Sequence, residues 1–185
     1  MSAETPTLDE LLDAVVAGVK SKLTALKECK AHDGRFDLDE LKAFQAQAPA
    51  VRLAVLGTRP SVEAGTGESD YNVIVAAYVV TRDAPGLPRG KGAMAIATAL
   101  LALVPGNEWG LSVGPPRDVR AENLYSGKLQ GTGLCLWGVT WLQPIRLGED
   151  VWAEDGVFPP LAYARHDDGA FTEVAVDLQG AGDAP

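Results

Sequence analysis

The sequence predicts an α/β protein of the α+β kind, in which a largely antiparallel sheet of about four to five strands is flanked by two main helices. The predicted elements follow the order helix, strand, strand, helix, strand, strand. Consecutive strands joined by loops, rather than by helices, favour antiparallel pairing with the helices packed on the sheet. The predicted strands also lack regular polar alternation, which indicates a sheet buried on both faces.

The first main helix is predicted over residues 7–27. Thr7 and Glu10 have the spacing of a capping box at its start. Apolar residues then recur every three or four positions and form one stripe: Leu8, Leu11, Leu12, Val15, Val16, Val19, Leu23 and Leu26. A short second helix is expected at residues 38–45.

Two strands are predicted at residues 51–57 and 71–82, and they could pair as a hairpin. The polar stretch TRPSVEAGTGES between them, residues 58–69, predicts a long loop with glycine hinges. We expect the second strand to be buried on both sides, because YNVIVAAYVV offers apolar residues to both faces.

The second main helix is predicted over residues 92–104, and Pro105-Gly106 ends it. Thr98 supplies the only polar side chain between residues 93 and 104, whereas a surface helix normally has a polar face. We expect Ile96, Leu100 and Leu103 to pack on the sheet. The opposite side carries three alanines, which are candidates for contact with a neighbouring subunit: Ala95, Ala99 and Ala102. Burial under the chain's own first helix or tail is the alternative.

The remaining pattern predicts a short strand at 109–113, a strand at 119–125, a turn at 126–131 and a last core strand at 133–142. In that last strand, Trp137 and Trp141 are expected in the core. A late strand is plausible at 171–178, where FTEVAVDL alternates.

Charge divides the chain into a predicted domain at residues 1–148 and an acidic C-terminal extension at 149–185, partly extended. The extension holds nine acids and one base, a net charge of −8, whereas residues 1–148 sum to −1. Lys and Arg are not clustered in excess in this sequence, so a groove for nucleic acid is not expected. The extension is either a solvated tail or an arm that docks on a partner.

No catalytic or cofactor motif is complete in this sequence. Gly90-Lys91 lies between a strand and a helix, but a phosphate loop would need a glycine where Pro85 stands and a hydroxyl where Gly92 stands. His32 and His166 lack partners in a metal-binding pattern, and Cys29 and Cys135 lack CxxC spacing, which suggests reduced, buried thiols. We therefore expect no enzyme activity, cofactor or metal. We also expect no signal peptide and no membrane segment, because the N-terminus has no basic start followed by an apolar core.

Five stretches between about residues 8 and 147 resemble a family of tail proteins of Mu-like contractile-tailed phages, whose fold is similar to that of the phage tail terminators. The stretches are DELLDAVVAGVKSKL, PAVRLAVLG, YNVIVAAYVVTRD, GKGAMAIATALLALVPG and ENLYSGKLQGTGLCLWGVTWLQPI. The resemblance rests on apolar spacing and glycines, not on a catalytic signature. The AHDGRFDLDELKAFQ insert and the acidic extension are less clearly covered.

The resemblance implies a virion structural protein, assembled in the host cytoplasm, that caps the head-proximal end of the tail tube. Such proteins form a closed ring, usually of six subunits, which ends tube polymerisation and offers a docking surface for the head connector. The implied partners are further copies of the chain, the tube protein, the sheath and the connector, with genomic DNA passing only through the lumen. Six residues in loops 58–69 and 83–91 are the candidate axial contacts: Arg59, Glu63, Glu68, Arg82, Arg89 and Lys91.

Three alternatives remain open at this stage. The first is another neck or baseplate-adjacent tail protein, or the cap of a headless contractile injection device. The second is a small-ligand-binding regulatory α/β domain that uses the Gly-rich loops. The third is a hydrolase acting through acid pairs such as Asp167-Asp168.

Overall fold

A computed structural model describes residues 6–34, 47–63, 67–124, 132–148, 161–165 and 171–175. The chain divides into two compact units, residues 1–149 and 150–185, which are described separately. The helix predicted at 38–45 and the turn predicted at 126–131 lie outside the described residues.

In its described residues, the first unit has two helices and one mixed, mostly antiparallel sheet, so the predicted α+β class is confirmed. The strand order is β1-β2-β3-β5-β4, with β1 parallel to β2 and every other pair antiparallel. The elements are α1 Leu8–Lys22, β1 Glu28–Ala31, β2 Ala50–Glu63, β3 Ser69–Arg82, α2 Arg89–Leu103, β4 Arg117–Asn123 and β5 Leu134–Leu147.

The start of α1 is the predicted capping box. The Glu10 amide donates to Thr7 Oγ1 at 3.2 Å, and the Thr7 amide donates to Glu10 Oε2 at 2.8 Å. The helix ends at Lys22 rather than at residue 27. Leu23 and Leu26 pack on the core although they follow the end of the helix. Their spacing continues the helical pattern, which is why the predicted helix was too long.

Strand β1 was not predicted, because ECKA is short and only Cys29 of its residues is buried. A charged pair joins it to the next strand: the buried guanidinium of Arg52 in β2 bonds to the Glu28 carboxylate, which Lys30 also contacts at 2.6 Å. Lys30 and Arg52 together lower the pKa of Glu28. The parallel pairing thus depends on a contact between residues far apart in sequence.

The predicted hairpin of β2 and β3 is confirmed, but the loop predicted at 58–69 is wrong in its first half. Strand β2 continues to Glu63, and β3 begins at Ser69. Thr58 and Arg59 pair with Val73 and Asn72 of β3. Backbone pairing with an apolar strand therefore outweighs the polar composition of this segment.

The short strand predicted at 109–113 is wrong, because the chain turns there. Trp109 and Gly110 have φ values of 58° and 76°, which are incompatible with a strand. Strand β5, in contrast, runs beyond the predicted end at residue 142, to Leu147. Its partner β3 is equally long, and the two pair along their whole lengths.

Apolar side chains are buried on both faces of the sheet, as predicted. Helices α1 and α2 cover one face through a cluster that includes Leu11, Val15, Leu100 and Trp141. The second face has its own buried cluster: Ala48, Ala54, Ala76, Tyr78, Val80, Leu134 and Leu136. Trp141 is 1% exposed and Trp137 is half-buried against the first cluster, which places both in the core as expected.

The second unit contains an antiparallel pair, β6 Leu161–Arg165 and β7 Phe171–Ala175. Strand β7 falls within the late strand predicted at 171–178, of which residues 176–178 lie outside the described residues. Strand β6 was not predicted.

Candidate assembly interface

The outer face of α2 is an exposed apolar surface. The helix begins at Arg89, before the predicted start, and packs on the sheet through Ala93, Ala97 and Leu100, with Ile96 and Leu103 partly buried beside them. On the other side, Met94 is 47% exposed and Leu101 is 37% exposed. An apolar side chain gains little from water contact, so this face is suited to a protein partner.

The three candidate interface alanines all lie toward this outer face. Ala95 and Ala102 are exposed, and Ala99 is half-buried. Ala95 and Ala99 also line a groove of about 450 Å³ between α2 and the chain that follows α1. Ala102 lies further along the helix, outside that groove.

The lining of this α1–α2 groove is mostly apolar, with basic residues among its members. Leu23 and Leu26 form one wall, Ile96 belongs to the other, and Leu87 closes one end. Lys22 and Arg82 are the charged residues of the lining. The groove therefore combines apolar surface with positive charge, and none of its lining residues in the described part of the chain is acidic.

The six candidate axial residues fall into two groups at opposite ends of the sheet. Arg82, Arg89 and Lys91 lie where β3 ends and α2 begins, whereas Arg59, Glu63 and Glu68 lie where β2 ends and β3 begins. Strand β3 has 14 residues, so roughly 45 Å separates the two groups. They form two surfaces rather than one.

In the first group, Arg89 is tied to the turn before α2. Its amide donates to Asp83 Oδ1 at 2.9 Å and its guanidinium lies 3.7 Å from the same carboxylate, while its carbonyl accepts from Thr81 Oγ1. Arg82 and Lys91 are exposed. This end of the sheet presents a basic surface.

In the second group, the decisive residue is Arg146 of β5, which the sequence did not single out. Its guanidinium holds Asp70 through hydrogen bonds of 2.7 and 3.2 Å and lies 3.9 Å from Glu68. The Arg146 hydrogen bond lowers the pKa of Asp70. A separation of 76 residues leaves no local pattern from which this pair could be predicted.

One further residue missed by the sequence analysis, Gln143, ties the segment after α2 to the sheet. Gln143 of β5 is fully buried, and its side-chain oxygen accepts from Trp109 Nε1 at 3.0 Å and from Trp141 Nε1 at 3.1 Å. Its amide group donates to the Gly114 carbonyl. The amide of Gln143 at the end of the mostly apolar GLCLWGVTWLQ run was the available signal, since buried amides need partners.

Within the described residues, the titratable groups show no arrangement typical of catalysis. Burial raises the pKa of the Cys29 and Cys135 thiols, both of which are free, so they remain protonated at neutral pH. Among the described residues, no three His, Cys, Asp or Glu side chains are placed to hold a metal ion. In the same part of the chain, no helix is long and apolar enough to cross a membrane.

The sequence matches the model of a phage protein family, "Bacteriophage Mu, Gp37", over residues 7–145. The chain belongs to this Mu Gp37 family. The match includes both helices and all five strands of the first unit except the last residues of β5, and it excludes the acidic extension. Membership supports a structural protein of a phage or phage-like particle.

Among solved structures, this Mu Gp37 family member is similar to a chain described as "Virion of native gene transfer agent (GTA) particle". The two are 13% identical, with a TM-score of 0.44, over 73% of this chain and 96% of the other. No curated protein matches the chain.

Proposed function

We propose that this Mu Gp37 family member caps the head-proximal end of a phage tail tube as a closed ring, built from six copies as in the tail terminators that it resembles. The exposed apolar outer face of α2 carries the proposal, together with the family match. An exposed Met94 and Leu101 on one helix, flanked by alanines that allow close approach, suit a contact between subunits.

Ring closure requires one heterologous contact repeated around an axis. The two ends of the sheet, roughly 45 Å apart, would then face opposite directions along the ring axis. One end carries Arg82, Arg89 and Lys91, whereas the other carries Arg59, Glu63 and Glu68. Because the two faces differ in charge, one can accept the last tube layer while the other meets the head connector, and tube growth stops.

The role is non-catalytic and the partners are proteins. Copies of the chain form the ring, the tube protein binds one face and the connector binds the other, with the sheath as a possible outer neighbour. Genomic DNA passes through the lumen without a dedicated site. The protein acts in the virion, at the neck of the tail.

A tube-growth assay tests this function. The full chain is added to polymerising tube protein, and the tubes are measured by electron microscopy and the mass of the free chain by light scattering. We expect rings, alone or on one end of each tube, and tubes that stop lengthening when capped. Tubes of unchanged length with no added density at either end would contradict the proposal.

A further inference from the structure

The α1–α2 groove has the shape and charge to receive a helix from a second copy of the chain. We propose that the N-terminal half of α1 of one subunit docks in the groove of the next, and that this contact closes the ring. The inference rests on the proposed function, since it names the subunit contact of that ring.

The docking element is an apolar ridge with acidic flanks. Leu8, Leu12 and Val16 are four residues apart and therefore line up along α1. Leu8 is 37% exposed, whereas Leu12 and Val16 are half-buried and pack partly on the chain's own core. Asp9 and Asp13 follow the two leucines, and both are exposed.

Charge complementarity selects this occupant. The first turn of α1 carries acids and the last turn carries Lys20 and Lys22, so each copy presents an acidic end and a basic end. The groove lies at the basic end, where Lys22 and Arg82 line it. Opposite charges on the two surfaces fix the orientation of a contact and disfavour the reverse one.

The ridge begins at the N-terminal end of α1, whereas the groove lies beside its C-terminal end, where Lys22 lines it. The 15 residues of α1 span about 22 Å, so the two surfaces are separate. A subunit can therefore donate a ridge to one neighbour and accept one from the other, as a heterologous ring contact demands.

Cysteine cross-linking tests the contact in the full chain. The variant Leu8→Cys/Ala99→Cys is treated with a short bifunctional maleimide and resolved by denaturing electrophoresis. We expect a ladder of covalent multimers, with each single variant giving none. The matched control is Leu8→Cys/Leu124→Cys, because Leu124 is equally exposed, at 37%, but belongs to the segment after β4. The native thiols of Cys29 and Cys135 are buried and contribute little background.

Charge reversal provides the second test. Asp9→Lys/Asp13→Lys and Lys22→Glu/Arg82→Glu should each raise the concentration for half-assembly at least tenfold, and the four changes combined in one chain should recover most of that loss. A melting temperature for each variant separates weakened assembly from failure to fold.

The outcomes distinguish the inference from the proposed function. Capping rings whose cross-links do not exceed those of the Leu124 control, or whose charge reversals do not compensate, would overturn the contact and leave the capping role intact. The proposed contact would also be overturned if tube protein alone, or the acidic extension of another copy, protected Ala99→Cys from the maleimide. If no rings or caps form with the unmodified chain, the proposed function itself fails.

Discussion

At the scale of single residues, the structure depends on a close contact between Gly18 of α1 and the indole of Trp109. A β-carbon at Gly18 would lie 2.7 Å from Trp109 Cε3, closer than such atoms approach in proteins. The indole cannot move freely, because its Nε1 is held by Gln143. Glycine at this position thus reflects packing, and it lets α1 approach the segment after α2.

Gly18→Ala should lower the free energy of unfolding by about 1–2 kcal/mol, since overpacking outweighs the roughly 1 kcal/mol gain in helix propensity. Chemical denaturation measures it. The control is Gly90→Ala in α2, where a β-carbon meets nothing within 4 Å and stability should hold or rise. Trp109→Ala in the Gly18→Ala background should cost less than in the native chain. Two equally stabilised alanine variants would refute the contact.

Gln143→Leu should reduce the free energy of unfolding by about 2–4 kcal/mol, because the change leaves the buried Trp141 indole, the part-buried Trp109 indole and one carbonyl without a partner. Urea titration followed by tryptophan fluorescence reports both stability and the indole environment. Asn72→Leu on β3 is the comparison, since Asn72 is half-buried and makes none of these three bonds. Equal losses in both variants would show that the network adds nothing.

At the scale of elements, ion pairs join the neighbouring strands β3 and β5 at one end of the sheet. Arg146 of β5 contacts Asp70 and Glu68 near the start of β3. Such exposed pairs are individually weak. They nonetheless hold the side chains of β3 and β5 together at one of the two proposed axial surfaces.

The Asp70–Arg146 pair should make stability depend on pH. The Asp70 pKa is lowered in the folded chain, so its stabilisation is present above the unfolded pKa, near 4, and is lost as pH falls through the folded pKa. Asp70→Asn should therefore be less stable at pH 7, by about 0.5 kcal/mol after solvent screening, and the gap should close in acid. Thermal unfolding between pH 2 and 7 tests it, with Asp33→Asn as the exposed control. A gap that persists below the folded pKa would contradict the assignment.

At the scale of the whole molecule, charge and apolar surface are unevenly distributed. The first 148 residues are nearly neutral and contain the α2 face and the groove, whereas residues 149–185 carry a charge of −8. If that extension faces the lumen of the proposed ring, repulsion between its acids and the DNA phosphates keeps DNA from adhering to the wall. At physiological ionic strength this repulsion is screened over roughly 8 Å.

Replacing the nine acids of the extension by their amides should leave rings intact but delay DNA release from assembled particles, because the repulsion is removed while the length of the chain is kept. Deleting residues 149–185 should act in the same direction. Electron microscopy counts rings and tails, and dye accessibility of ejected DNA gives the rate. Normal rings, tails and ejection in both variants would remove support for a role in the channel.

The sequence alone determined the start of α1, the central hairpin and the apolar character of both sheet faces, because capping, side-chain spacing and turn residues act over a few positions. It also pointed to the alanine face of α2. Only the tertiary structure decided that ECKA pairs as a parallel strand, that residues 58–63 extend β2, and that Trp109, Gln143 and Gly18 meet. Those outcomes depend on hydrogen bonds and packing between residues far apart in the chain. A local sequence pattern does not show which distant residues will come into contact when the chain folds.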